Sequence, residues 1–252
     1  MTFLVNLESS ASRLTAMTEH LNKLGISFER VAAIDARGVD INFYSAYDAI
    51  STERRHGRQL LGGEVGCYLS HIKAIKTFAV SDAKYGLICE DDIKFPDDTK
   101  LFLNDFIEFS KSQGLNWDML FLGLPLKSHV LGRLYFGHNR EIFRALHLPV
   151  TTSAILWSKE GAKAFLNSKS STTIRGPVDY AVRSFSSMRG RSLGLTSKFV
   201  SFLEILSDID ANGGGRYESE LKVSSKIKIL IYRKLVDRIN ELKSFLKLLL
   251  QR

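Results

Sequence analysis

At 252 residues and 44% hydrophobic content the chain is long enough to enclose a full core and short for two domains, and four prolines with 10% aromatic residues exclude a disordered chain. The net charge of +8 is concentrated at one end: Lys222 to Arg252 holds nine basic residues against Asp237 and Glu241, a surplus of seven, and the remainder is nearly neutral. A nucleic-acid binder spreads basic groups over its folded face, so no nucleic-acid partner is expected.

Cys67 and Cys89 lie in apolar segments without metal-ligand spacing. They are expected to be buried free thiols in a reducing compartment rather than a disulfide or a zinc site. The start "MTFLVNLESSASR" has no basic region followed by a long apolar one, and no apolar run approaches the roughly 20 residues that cross a bilayer. A cytoplasmic location is expected.

In chain order, "TFLVNL" (Thr2 to Leu7) reads as a buried strand, Arg13 to Leu24 as a helix closed by Gly25, and "ISFERVAAID" as a second strand. Strand, helix and strand within about 35 residues make a βαβ unit with parallel strands and a right-handed crossover. The class is α/β. "GGEVGCYLSHIKAIKTFAVSD" predicts a helix whose stripe is Val65, Leu69, Ile72, Ile75 and Ala79. "YGLIC" follows as a strand apolar on both faces, as in the middle of a covered sheet. "LFLNDFIEFSKS" predicts a helix, "DMLFLGL" and "TTSAILW" strands, and "SKEGAKAFLNS" another helix. Lys127 to Leu148 has poor periodicity and reads as a long loop or a hairpin, the kind of excursion that binds ligands. "DANGGGRYES" reads as a hinge.

Directly after "YGLIC" come Glu90, Asp91 and Asp92. Ligands of open α/β sheets bind outside the carboxyl ends of strands, so the acids fall where a ligand would sit. Three adjacent carboxylates repel one another and are costly beside a buried strand unless a positive group sits among them. A divalent cation answers that need, and oxygen-only donors point to Mg²⁺ or Mn²⁺. The acids equally suit a helix N-terminus or a solvated turn.

Several segments together resemble glycosyltransferase family 25: Val5 to Leu7 with Ser12 and Arg13, "GGEVGCYLSHIKA" (Gly62 to Ala74), "LICEDDI" (Leu87 to Ile93), "WDMLFLG" (Trp117 to Gly123), "TTSAILWSKEGA" (Thr151 to Ala162) and "PVD" (Pro177 to Asp179). The resemblance spans roughly residues 3 to 210. That family contains bacterial lipooligosaccharide galactosyltransferases and is related to collagen galactosyltransferases. The resemblance implies a single GT-A, Rossmann-like domain, placed at residues 1–211; the glycine-rich stretch reads as a hinge over 212–221 and the basic, helically periodic end as a tail over 222–252. It implies an inverting, metal-dependent transferase using a UDP-sugar, UDP-galactose above all, with Mn²⁺ or Mg²⁺.

By the same resemblance, Asp92 coordinates the metal that bridges the donor diphosphate. Glu90 lies toward the ribose or the metal's water shell, and Asp91 and His71 count among the donor-binding residues. Asn6 and Arg13 follow the first strand, where the family binds nucleotide, and Arg13 is either a phosphate partner or a solvated helix residue. Asp208 in "SDID" is either near the metal or in a plain loop. Where the family carries Asp-Arg-Arg this chain has Glu8, Ser9 and Ser10, and where Gly-Thr-x-Ala-Tyr is usual it has Thr151 to Ile155. The donor sugar and acceptor are therefore not fixed by the resemblance.

Inversion needs a carboxylate facing the anomeric carbon. Asp179 is the expected base, with the N-cap of a helix Tyr180 to Phe185 as its other reading, and Glu64 is held in reserve. Glu64 and His71 lie seven apart on one helix, so they share a face at the border of core and solvent.

Between Ile227 and Leu249 apolar residues recur on one helical face with lysines and arginines among the others. This predicts a helix lying on an anionic membrane surface, or one docked on the domain or pairing two copies in a homodimer. The expected acceptor is a lipooligosaccharide or other lipid-linked saccharide at the inner face of the cytoplasmic membrane. The alternatives are a Mg²⁺-dependent phosphohydrolase and a non-catalytic, membrane-associated glycan-binding protein.

Overall fold

The computed structural model describes residues 1–126, 130–203 and 223–250. Strand β1 (Thr2–Asn6) leads into helix α1 (Ala11–Lys23) and strand β2 (Phe28–Ala32), and β1 pairs in parallel with β2 and with β3 (Tyr85–Glu90). Between them lie α2 (Ala49–His56) and the long α3 (Gly62–Val80). After β3 come β4 (Ile93–Lys94), α4 (Thr99–Ser112), β5 (Met119–Phe121), the hairpin β6 (Val130–Gly137) and β7 (Arg140–Ala145), and β8 (Ala154–Ser158). The domain finishes with α5 (Lys159–Leu166), α6 (Lys169–Thr172), α7 (Val178–Arg189), β9 (Ser192–Leu195) and β10 (Ser201–Phe202).

Among the described residues eight strands form one sheet in the order β2, β1, β3, β8, β5, β9, β7, β6, while β4 and β10 form a small antiparallel ribbon. β8 runs antiparallel to both β3 and β5, and β9 returns to the parallel direction. Six strands thus run one way, with β8 at the centre and β7 near the edge running against them, a mixed α/β sheet as expected.

Period-two alternation splits the core into two layers. Phe3, Val5, Ile88, Met119, Phe121, Ile155 and Trp157 face one way and pack with residues of α3, α5 and α7. Leu4, Leu87, Cys89, Leu120 and Leu156 face the other way, against Met17 and Leu21 of α1 and Phe102 and Phe106 of α4. Covered on both faces, these strands have no use for polar alternation.

Lys127 to Leu148 is in its described part the β6–β7 hairpin, joined to the main sheet through β9. The hairpin reading holds and the loop reading does not. α3 buries Val65, Tyr68, Ile72, Ile75 and Phe78, while Leu69 and Ala79 of the predicted stripe are only half-buried. Glu64 and His71 are 5% and 3% exposed, so the predicted solvent border is in fact interior. The reason is the neighbour: the loop after β2 closes over this end of α3. A Cβ on Gly66 would stand 2.5 Å from the Ile34 carbonyl oxygen, and one on Gly62 2.0 Å from that of Ala36. Only glycine allows this approach. Both cysteines are free as expected, but Cys67 is half-buried rather than buried.

The hinge 212–221 and Asp208 lie outside the described residues. Helix α8 (Val223–Leu250) packs on α7 and, less extensively, on α2. Its expected apolar stripe does not face the domain: Ile231, Leu235, Ile239, Leu242 and Leu246 are all exposed.

Candidate functional site

In the parallel register Val5 pairs with Glu90 and Asn6 with Ala32, so β1, β2 and β3 end side by side. The cleft outside those ends is lined by Asn6 and Arg13, by Asp35 and Arg37 after β2, by Cys67 and His71 of α3, and by Glu90, Asp91 and Asp92. Ser70 fixes the loop after β2, its Oγ accepting from the Ile34 amide at 2.8 Å and donating to the Gly66 carbonyl at 2.6 Å.

The three acids are treated differently. The Glu90 carboxylate meets His71 Nε2 and the Thr152 hydroxyl, each at 2.9 Å from Oε1. Burial pushes its pKa up, but those contacts and the Arg13 charge outweigh burial and hold it below the ordinary value. Asp91 is 5% exposed, accepts from Asn6 Nδ2 at 2.5 Å and sits 3.3 Å from Arg13 Nε. Asn6 also donates to the Ser10 carbonyl and accepts from Arg30. Asn6 and Arg13 therefore serve Asp91, whatever else they touch.

Asp92 differs from both. Its backbone carbonyl accepts from the Leu203 amide at 2.8 Å, clamping the turn to the β4–β10 ribbon, while its buried Oδ1 has no hydrogen-bond partner. Burial, then the charges of Glu90 and Asp91, push its pKa up to about 6. A buried carboxylate oxygen left without a donor is costly unless a cation completes it. Asp92 Oδ1 offers an oxygen ligand, the donor type that Mg²⁺ and Mn²⁺ take.

Glu64 has both oxygens engaged: Arg58 grips it bidentately at 2.7 Å on each side, and the Leu61 amide donates to it at 2.9 Å. It closes the first turn of α3. Asp179 is not an N-cap. Pro177 holds that position, α7 begins at Val178, and the Asp179 carboxylate accepts from the Tyr180 amide at 2.7 Å. Burial raises Asp179 to about 6 against the opposing effects of that hydrogen bond and Arg183, and the charges of Glu90 and Glu64 add to the rise. Asp179 is thus electrically within reach of the Glu90 end of the cleft without lining it.

Asp35, Arg37, Cys67 and Thr152 border or brace the site without having been singled out in the sequence. Asp35 and Arg37 carried a readable signal, since they follow the end of a parallel strand as the acids do. Thr152 stands at the Thr of the Gly-Thr-x-Ala-Tyr pattern, but its role was hidden because its partner Glu90 lies 62 residues away.

The family model described as glycosyltransferase family 25 (LPS biosynthesis protein) matches residues 1–182. The chain belongs to that family. Among relatives of this family member, procollagen galactosyltransferase 1 of Danio rerio is 27% identical over 125 residues, 48% of this chain and 21% of the relative. The probable inactive glycosyltransferase 25 family member 3 of Rattus norvegicus is 29% identical over 125 residues, 48% of this chain and 22% of that one. The chain thus spans about a fifth of the length of these curated relatives. In structure it is similar to S. aureus TarS in complex with UDP-GlcNAc, with TM-score 0.46 at 13% identity over 92% of this chain and 70% of that one. It is also similar to a mutant Drosophila β1,4-galactosyltransferase 7 in complex with manganese, UDP-Gal and xylobiose, with TM-score 0.39 at 12% identity over 90% and 78%.

Proposed function

We propose that this family 25 member is an inverting, metal-dependent glycosyltransferase that moves a hexose from a UDP-sugar, galactose from UDP-galactose as the leading case, onto a hydroxyl of a lipooligosaccharide or other lipid-linked saccharide. The observation that carries the reading is Asp92: a buried, partnerless carboxylate oxygen with a raised pKa, at the carboxyl ends of three parallel strands. Asp92, with Glu90 beside it, would hold Mn²⁺ or Mg²⁺. Such an ion supplies Lewis-acid neutralisation of the departing diphosphate.

The chain's own residues do the rest. His71 and Thr152 fix the Glu90 carboxylate, so that it presents one defined orientation to the cleft. Asn6 and Arg13 hold the Asp91 carboxylate in place beside Asp92 and brace the turn. Arg37, on the rim and anchored to Asp35 and Ser9, places a guanidinium toward an anionic donor. Asp179, which stands beside the cleft rather than on its wall, is the carboxylate assigned as base to the acceptor hydroxyl; its pKa near 6 leaves it ionised at neutral pH yet more basic than an ordinary carboxylate. Glu64, gripped by Arg58, is left to structure.

The exposed row Ile231, Leu235, Ile239, Leu242 and Leu246, with Lys234 and Lys243 exposed on the same helix, supports binding of α8 to an anionic membrane surface. Among the described residues no helix is long and apolar enough to cross a membrane. The domain 1–211 would thus be tethered to the inner face of the membrane through 222–252.

The test is nucleotide release by the purified chain across a panel of nucleotide sugars, with Mn²⁺ or with chelator. Slow, metal-dependent UDP release from one UDP-hexose supports the reading, and phosphate release without nucleotide-sugar selectivity overturns it.

A further inference from the structure

Cys67, His71 and Glu90 bring a sulfur, an imidazole nitrogen and a carboxylate oxygen to within 4.8 Å of one another. Cys67 and His71 lie four residues apart on α3, so consecutive turns present them on one face. Glu90 meets them from the end of β3, its Oε1 2.9 Å from His71 Nε2. His71 is 3% exposed and rigidly housed, whereas Cys67 and Glu90 are partly open, and all three border the cleft.

We propose that these three side chains form a binding site for a thiophilic divalent cation of the Zn²⁺ class, chemically distinct from the oxygen ligand at Asp92. Thiolate, imidazole and carboxylate together are the donor set of a borderline-soft ion, which Mg²⁺ and Mn²⁺ do not prefer. Bonds of about 2.0–2.3 Å to a tetrahedral ion put its donors roughly 3.3–3.8 Å apart, so the cluster needs to tighten by about 1 Å at its widest and to open slightly between His71 and Glu90. A turn of the half-buried Cys67 side chain supplies such a movement. The Thr152 hydroxyl, 2.9 Å from Glu90 Oε1, is the outer partner that orients a ligating carboxylate. The fourth position opens to the cleft and takes water. Binding releases the Cys67 thiol proton to solvent, so affinity rises with pH. Because Glu90 belongs to both sites, an ion held by Cys67 and His71 draws Glu90 away from Asp92.

The experiment titrates the full, metal-free chain with Co²⁺ alone as the spectroscopic stand-in, then with Zn²⁺. One equivalent of Co²⁺ is expected to give a near-ultraviolet sulfur-to-cobalt charge-transfer band with intense visible bands of tetrahedral character, all displaced by one equivalent of Zn²⁺. Cys67→Ala and Cys67→Ser, shown folded by their melting curves, lose the charge-transfer band and weaken Zn²⁺ binding by more than the roughly 10- to 100-fold that outer partners contribute. Cys89→Ala keeps both. A folded wild-type chain with no charge-transfer band overturns the proposal, as does a band that persists in Cys67→Ala. The readout is binding alone and is independent of transferase activity.

Discussion

Asp91 and Asp92 are adjacent in sequence and opposite in circumstance: Asp91 is closed off by Asn6 at 2.5 Å and Arg13 at 3.3 Å, while the buried Oδ1 of its neighbour has no hydrogen-bond donor. The chain thus stabilises one charge internally and leaves the next to be completed from outside. Their substitutions should separate accordingly. Asp91→Asn takes the ion-pair partner from Arg13, whose side chain is 12% exposed and keeps its bond to Ser10 Oγ, and breaking such a pair from one side costs about 3 kcal/mol. Asp92→Asn removes a charge that the fold disfavours, and its stability without metal should equal or exceed wild type. Urea melts of both variants at neutral pH check this.

Asp92 is raised from the ordinary 3.8 to about 6 in the native state, so between about pH 4 and 6 the native chain keeps a proton that the unfolded chain has lost. Its contribution is fully present below pH 4 and lost as pH rises through about 6. Asp179 behaves alike. Glu90, lowered in the native state, contributes in the opposite sense, with stability that is lost as pH falls. The stability difference between Asp92→Asn and wild type isolates Asp92, and it should grow in favour of the variant from pH 4 to pH 7. Melts at several pH values that show a constant difference would refute the assignment.

Asp179→Asn should lower transfer by about 10²- to 10⁴-fold, the range of a positioned general base, with UDP binding and melting temperature retained. Glu64→Gln should do the reverse, losing stability through Arg58 while the surviving folded enzyme keeps most of its turnover. Steady-state kinetics under saturating donor, read beside melting temperatures, distinguish the two.

Leu235→Lys together with Leu242→Lys should abolish flotation of the full chain with anionic vesicles and leave its melting temperature unchanged, because both side chains are exposed. Co-sedimentation with phosphatidylglycerol vesicles measures this. A wild-type chain that ignores the vesicles and sediments as a dimer dispersed by the same substitutions would assign the row to self-association.

Much of this architecture was readable because it is local. The βαβ start, the α3 helix and the acids after β3 each follow from periodicity within a score of residues. Strand direction was not, since "AILW" is apolar on both faces and such a run reads the same whether β8 lies parallel or antiparallel. The division of labour among the acids was hidden as well. Asn6 reaches Asp91 across 85 positions, and only the parallel register that sets Val5 beside Glu90 brings them together. The Arg58–Glu64 grip spans six residues, but it depends on how the chain enters α3 from an irregular loop. For α8 the amphipathic stripe was plain, yet periodicity cannot say which face meets the domain, and the structure turns the leucines outward.

The central claim is that Asp92 is the carboxylate completed by a metal ion shared with a nucleotide diphosphate. Calorimetric titration of UDP into the full chain, with Mn²⁺ and with chelator, for wild type and Asp92→Asn, addresses it directly. Wild type should bind UDP at least about tenfold more tightly with Mn²⁺, a difference of about 1.4 kcal/mol, and Asp92→Asn should lose that increment while melting at the wild-type temperature or above. Equal Mn²⁺-dependent UDP affinity in the two proteins would contradict it.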